Sequence, residues 1–123
     1  MDVNFLDTYA LIEISRGNPR FKPYFQNNFI ILDLILAEIY SVLLRDQNEE
    51  IANLWCKKLE SYIETAPLST LINAVKYRKQ HKSQNLSFFD CVGYIYSKEN
   101  NLNFVTGDEQ FENKEGVIFI KKD

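Results

Sequence analysis

The sequence predicts an α/β domain built on a central, mainly parallel β-sheet with helices on both faces. Three observations carry that expectation. Short apolar runs at 3–6, 29–32, 102–105 and 117–120 alternate with longer helical stretches, the pattern of strands joined by helical crossovers. No internal repeat, low-complexity tract or Gly/Pro/Ser-rich linker divides the chain. Its 123 residues suffice for one compact core but not for two ordinary ones, so residues 1–123 are expected to form a single domain.

Taken in order, Val3-Asn4-Phe5-Leu6 reads as a buried strand that runs directly into Asp7-Thr8, a polar N-cap pair. The helix it opens spans Tyr9 to Arg16 and is closed by Gly17-Asn18-Pro19. Residues 20–28 form a short helix or loop with Phe21, Tyr24 and Phe25 as aromatic anchors. Phe29-Ile30-Ile31-Leu32 is the second strand, and Asp33 caps a helix from Leu34 to Arg45. That helix is apolar on nearly every face, which predicts burial on most sides. Glu49 to Thr65 carries a helical stripe of Ile51, Leu54, Trp55, Leu59 and Ile63, and a weak strand is expected at Ala66-Pro67-Leu68. Ser69 to Lys82 is amphipathic through Leu71, Ile72, Val75 and Arg78. A polar loop over 81–86 follows, then a helix from Ser87 to about Asn100. Leu102 to Val105 is a strand, Thr106-Gly107-Asp108 its turn, and Val117 to Ile120 the last strand.

A net charge of -3 argues against a basic scaffold that coats nucleic acid. It leaves a nuclease open, because divalent cations reverse the sign of an acidic cleft. Cys56 and Cys91 sit in apolar runs without a CxxC pair, which reads as buried free thiols in a cytosolic protein. The chain opens without a basic region leading into an apolar stretch, and no apolar run approaches about 18 residues. A soluble, cytoplasmic domain with no membrane partner is therefore expected.

Four acids stand out. Asp7 directly follows the first strand and Asp108 lies just beyond the strand at 102–105. In a parallel sheet both emerge at the carboxyl edge, where ligands bind. Each has a local alternative, a helix cap or a turn aspartate. Glu38 sits in the most apolar helix, and its i±3 and i±4 neighbours are Leu34, Ile35, Ser41 and Val42, with no Lys or Arg among them. A carboxylate buried there needs a cation from outside the chain or must protonate, unless a solvated strip exposes it. Asp90 completes a capping box with Ser87, in Ser87-Phe88-Phe89-Asp90, yet a helix N-terminus in an α/β unit also faces the ligand crevice. Oxygen-only donors suit Mg²⁺ or Mn²⁺, whereas His or Cys would favour zinc. Such a cation activates water and neutralises charge on a phosphodiester.

With those residues in place, the sequence resembles the PIN-domain family, and in size the VapC toxins of bacterial and archaeal toxin–antitoxin pairs. Four ordered segments carry the resemblance: Val3-Asn4-Phe5-Leu6-Asp7-Thr8, Leu36-Ala37-Glu38-Ile39-Tyr40, Leu86-Ser87-Phe88-Phe89-Asp90-Cys91, and Phe104-Val105-Thr106-Gly107-Asp108-Glu109-Gln110-Phe111. The resemblance implies a Rossmann-like α/β/α sandwich that cleaves single-stranded RNA with Mg²⁺ or Mn²⁺. It implies Asp7, Glu38, Asp90 and Asp108 as the metal-site acids, with Asp7 and Asp90 the principal ligands, Glu38 positioning water or a second metal, and Thr8 and Thr106 supporting. A small antitoxin protein and a homodimer are the partners it implies. The sequence departs from the family after the third acid, where small residues are usual and Cys91-Val92-Gly93-Tyr94-Ile95-Tyr96-Ser97 stands instead.

Lys76, Arg78, Lys79, His81 and Lys82 form a basic run that reads as a solvated helix face, with an RNA-backbone track as the alternative. His81 is a poor catalytic base, because nothing places it near the acids. Trp55, Tyr94 and Tyr96 are expected in the core or a dimer interface. Phe21, Tyr24 and Phe25 are either ordinary packing or a groove for an antitoxin helix. The functional reading is an endoribonuclease toxin. Its rivals are a housekeeping RNA-processing nuclease and a phosphoacceptor signalling domain, although Asp7 lacks the acidic neighbour on its C-terminal side that the latter needs.

Overall fold

The computed structural model of the chain describes residues 2–26 and 28–123. Strand β1 (Asn4–Leu6) is buried at every position and runs into helix α1 (Thr8–Ser15). A one-turn helix α2 (Lys22–Phe25) precedes β2 (Phe29–Leu32), and helices α3 (Asp33–Asp46) and α4 (Glu49–Leu59) lead to the two-residue β3 (Ile63–Glu64). Helices α5 (Leu68–Gln80) and α6 (Phe88–Glu99) follow, then β4 (Asn103–Thr106) and β5 (Val117–Phe119).

The five strands form one sheet in the order β3-β2-β1-β4-β5, and every pairing is parallel. The chain winds outward from β1 to β3, then crosses back to place β4 on the other side of β1, in register Asn4↔Asn103, Phe5↔Phe104 and Leu6↔Val105. The order of strands therefore reverses between β1 and β4. In open α/β sheets that reversal opens a crevice beyond the strands' carboxyl ends.

Phe5, Leu6, Ile31, Leu32, Phe104 and Val105 are fully buried, as strands covered on both faces require. Gly93 lets α6 approach the sheet: a Cβ there would lie 2.9 Å from the Phe5 ring and 3.1 Å from that of Phe104. Tyr94 is buried beside it, with its ring 5.6 Å from Phe104 and 5.3 Å from Phe111. The departure from small residues after Asp90 is thus accommodated by an aromatic cluster with a glycine at its tightest point.

Helix α3 meets its expectation: it buries Ile35, Ile39 and Leu43, packs Leu34, Leu36 and Tyr40 against the core, and leaves an exposed strip at Ala37, Ser41 and Leu44. Several other expectations are corrected. Asp33 is the first residue of α3 rather than its cap, and its carboxylate accepts from Leu34 N and from Ala66 N. The third strand forms at Ile63–Glu64 and not at residues 66–68, because α4 ends at Leu59 and a short 3₁₀ turn aims the chain along β2. Helix α5 buries Thr70 and Ala74, which leaves Leu68, Ile72 and Val75 at 73%, 48% and 54% exposure. Small residues meet α6 at this close approach while Leu71 and Tyr77 are partly buried against the core, so the predicted stripe is split between the inner and outer sides. Cys91 is buried as expected, whereas Cys56 is partly exposed. Phe21 is fully buried and Tyr24 and Phe25 pack against the core, which is the ordinary-packing alternative. Trp55 also packs there, its ring 5.8 Å from Phe25.

Candidate active site at the carboxyl edge

Three of the four acids, Asp7, Asp90 and Asp108, are held by hydrogen bonds from nearby backbone N–H groups. Asp7 ends β1 and caps α1: its N–H donates to Val105 O across the sheet (3.2 Å), and its Oδ1 accepts from Ala10 N (2.8 Å). At 2% exposure it is the most buried carboxylate of the set. Burial pushes its carboxyl from 3.8 up to about 8, with Asp90 and Asp108 adding repulsion and hydrogen bonds from Thr106 and Ala10 opposing the rise.

Asp108 stands beyond β4, at the turn that Thr106 organises. The Asp108 N–H donates to Thr106 Oγ1 (3.0 Å), and Asp108 Oδ1 accepts from Gln110 N (2.9 Å). Since the Thr106 side chain also bonds Asp7, one buried hydroxyl links the ends of β1 and β4. Gly107 is required by a close approach, for a Cβ there would sit 2.1 Å from Tyr9 Cε1. Tyr9 was not foreseen as part of this region, and an aromatic ring at the start of a helix carries no signal of its own.

Asp90 forms the anticipated capping box: Ser87 N donates to Asp90 Oδ2 (2.9 Å) and Asp90 N to Ser87 Oγ (3.0 Å). Burial raises its carboxyl despite those bonds, and Asp108 raises it further. Glu38, on α3, is half-buried and accepts a hydrogen bond from the Thr8 hydroxyl, a neutral partner that sequence spacing did not reveal. Its carboxyl is raised by burial first, lowered by Thr8, and raised again by Asp90.

Asp90 is thus electrostatically coupled to all three other acids. Among the described residues no cation forms an ion pair with them; the ion pairs there are Arg16–Glu13 (3.4 Å) and Arg45–Asp46 (2.8 Å), neither at this edge. Also among the described residues, no three His, Cys, Asp or Glu side chains are gathered closely enough to enclose an ion by themselves. One hollow is lined in part by Asp108, and a second lies beside the helix that carries Asp90. The first, of about 480 Å³, lies between Tyr9, Asp108, Phe119 and Lys121, and the second, of about 340 Å³, lies beside Phe88, two residues before Asp90.

His81 stacks on Tyr77 with ring centres 4.0 Å apart and sets its Nδ1 2.9 Å from the Tyr77 carbonyl, a role in the end of α5 rather than in the cleft.

The sequence profile of the PIN domain matches residues 5–117, a span that contains all four acids. The chain belongs to the PIN domain family. No curated protein sequence matches it. Solved structures share the PIN architecture across nearly the whole chain. Mycobacterium tuberculosis VapC20, described as a sarcin–ricin loop cleaving toxin, superposes with a TM-score of 0.80 at 15% identity, covering 98% of both chains. DNA-bound VapBC from Salmonella typhimurium gives 0.77 at 17% identity and covers 100% of both, and a toxin–antitoxin complex from Klebsiella pneumoniae gives 0.73 at 17%, covering 94% of this chain and 95% of that one. At these identities the likeness is one of fold.

Proposed function

We propose that this PIN domain is a divalent-metal-dependent endoribonuclease and the toxin of a toxin–antitoxin pair. The observation that carries the reading is the electrostatic coupling of Asp7, Glu38, Asp90 and Asp108, with no lysine or arginine among the described residues paired to any of them. Family membership supports nuclease chemistry and speaks against the phosphoacceptor alternative. The toxin assignment draws on the fold shared with toxins and their complexes.

The donor set fits Mg²⁺ or Mn²⁺ by charge and by oxygen type. Mg²⁺ is commonly held by one or two carboxylates together with waters and substrate phosphate, so a closed cage of three acids is not required. Asp7 and Asp90 are the ligands in this reading, with Asp108 beside them. When bound, the cation supplies Lewis-acid stabilisation of the phosphodiester and lowers the pKa of a water. Glu38 orients that water, itself aimed by Thr8, and Thr106 fixes the spacing of Asp7 and Asp108. The buried position of Asp7 excludes bulk solvent from the point where charge develops.

A small antitoxin holds the enzyme in check, and a second copy of the chain covers the apolar stripe that Leu68 and Ile72 leave on α5. Among the described residues no helix is long and apolar enough to cross a membrane, which is compatible with a cytoplasmic site of action. The test is expression without a partner. Wild type should arrest growth and generate new RNA ends, and Asp7→Asn should do neither. Cleaved RNA without growth arrest would favour a housekeeping nuclease, and equal activity in Asp7→Asn would remove the site assignment.

A further inference from the structure

The chain carries net charge -3 and a cleft of acids, yet the substrate proposed above is a polyanion. A metal ion neutralises one phosphate and leaves its neighbours to be held by the protein. The basic run on α5 supplies candidates that the active-site reading does not use.

Arg78, Lys79 and Lys82 line the hollow of about 340 Å³ between the end of α5 and the start of α6, together with Asn85 and Phe88. That volume lies at the small end of ligand-binding pockets, about 300–1,000 Å³. None of the three cations forms an ion pair among the described residues. Arg78 is not a free surface arginine: its Nε donates to Leu86 O (2.9 Å), the carbonyl directly before the Ser87 cap. The guanidinium is thereby anchored to the loop that presents Asp90, with its terminal nitrogens left over for a ligand. Phe88 packs partly against the core and is partly exposed at the rim of the hollow, two residues from Asp90. Cations without an ion-pair partner among the described residues, beside a partly exposed aromatic ring, are the two elements of a single-strand-binding subsite. A merely solvated helix face would need neither the anchored guanidinium nor the concavity.

We propose that this basic hollow seats the single-stranded RNA next to the scissile phosphate, with phosphates on Arg78, Lys79 and Lys82 and one base stacked on Phe88. The inference rests on the ribonuclease reading, and its test separates the two. Binding of a fluorescent single-stranded oligoribonucleotide is measured by anisotropy as a function of salt, beside cleavage of the same RNA with Mg²⁺. Lys79→Ala/Lys82→Ala should weaken binding on the order of 10-fold and reduce the salt slope by about 0.7 for each phosphate contact removed. Phe88→Leu, which keeps an apolar side chain at the rim, should weaken binding roughly 5-fold or more without changing the slope. Circular dichroism melting checks that both variants fold, and the lysine pair is exposed, so its result stands if Phe88→Leu unfolds. Wild-type cleavage with unchanged binding and slope in the lysine variant would overturn the subsite and leave the nuclease reading intact. Unchanged RNA binding with lost binding of a synthetic polyglutamate peptide would reassign the hollow to a protein partner. A wild-type protein that neither binds nor cleaves RNA would overturn both.

Discussion

The Thr8 hydroxyl donates a hydrogen bond to Oε1 of Glu38, joining the first residue of α1 to the middle of α3 across thirty positions of sequence. Glu38 is therefore aimed by a neighbour of Asp7, and two of the four acids share one anchor point at the end of β1. Thr8→Val should keep the fold, costing about 0.5–1.5 kcal/mol in chemical denaturation for the lost bond. It should lower RNA cleavage roughly 10-fold, and Thr8→Ser should restore it. A Val variant cleaving at the wild-type rate would show that Glu38 needs no such aiming.

Burial of Asp7 fixes a sign for the pH dependence of stability. Its folded carboxyl titrates at about 8, against 3.8 for the ordinary group. Between those values the folded state holds a proton that the unfolded chain has released. Stability of the metal-free protein is then fully present below about pH 4 as far as this group is concerned, and it is lost as pH rises toward 8. Glu38 and Asp90, also raised, act in the same direction. Urea unfolding from pH 5 to pH 8 in chelator should show a falling midpoint, and a rising one would contradict the burial described for Asp7.

Asp7→Asn follows from the same relation. The amide oxygen can still accept from Ala10 N, so the α1 cap survives while the charge is removed. Cleavage should vanish, yet the metal-free variant should melt higher than wild type at pH 8, by roughly 4 °C or more, the shift that about 1 kcal/mol produces in a domain of this size. A lower melting temperature would mean that Asp7 stabilises the fold by its charge.

Divalent metal should reverse that ordering. A ligand that binds only the folded state at 100 times its Kd adds about 2.7 kcal/mol. Mg²⁺ or Mn²⁺ should therefore raise the melting temperature of wild type and leave that of Asp7→Asn nearly unmoved. Equal shifts in both proteins would place the cation elsewhere.

Gly107→Ala tests the turn that presents Asp108. The new Cβ would fall 2.1 Å from Tyr9 Cε1, which the ring must vacate. A loss of about 1–3 kcal/mol is expected from such overpacking, and Tyr9→Ala in the same chain should recover part of it. Additive losses in the double variant would show that the two positions do not meet.

The parts of this molecule that were legible in its sequence are those that local chemistry dictates. β1 and β4 announce themselves as apolar runs that end at an acid, and the Ser87–Asp90 box is written in four consecutive residues. The errors arose where neighbours decide. α5 fully buries only the small Thr70 and Ala74 and packs Leu71 and Tyr77 part-way in, leaving Ile72 and Val75 outside, and no periodicity distinguishes an apolar stripe facing the core from one facing out. Glu38 was singled out by the apolar helix around it, but its partner lies thirty residues earlier, beyond any i±4 inspection. The partnership of Arg78 with the Leu86 carbonyl was hidden for the same reason, since a loop conformation decides it.

β1 finds its place between β2 and β4, and the register Asn4↔Asn103 makes one of those neighbours arrive nearly a full chain length later. A nascent chain that has emerged only as far as α6 already holds Asp7, Glu38 and Asp90, but it lacks the strand against which Asp7 is braced and the Thr106 hydroxyl that spaces it from Asp108. Such long-range closure is slow and cooperative. A growing polypeptide of this design completes its carboxyl edge, and with it the proposed ribonuclease site, only when the last strands cross the sheet.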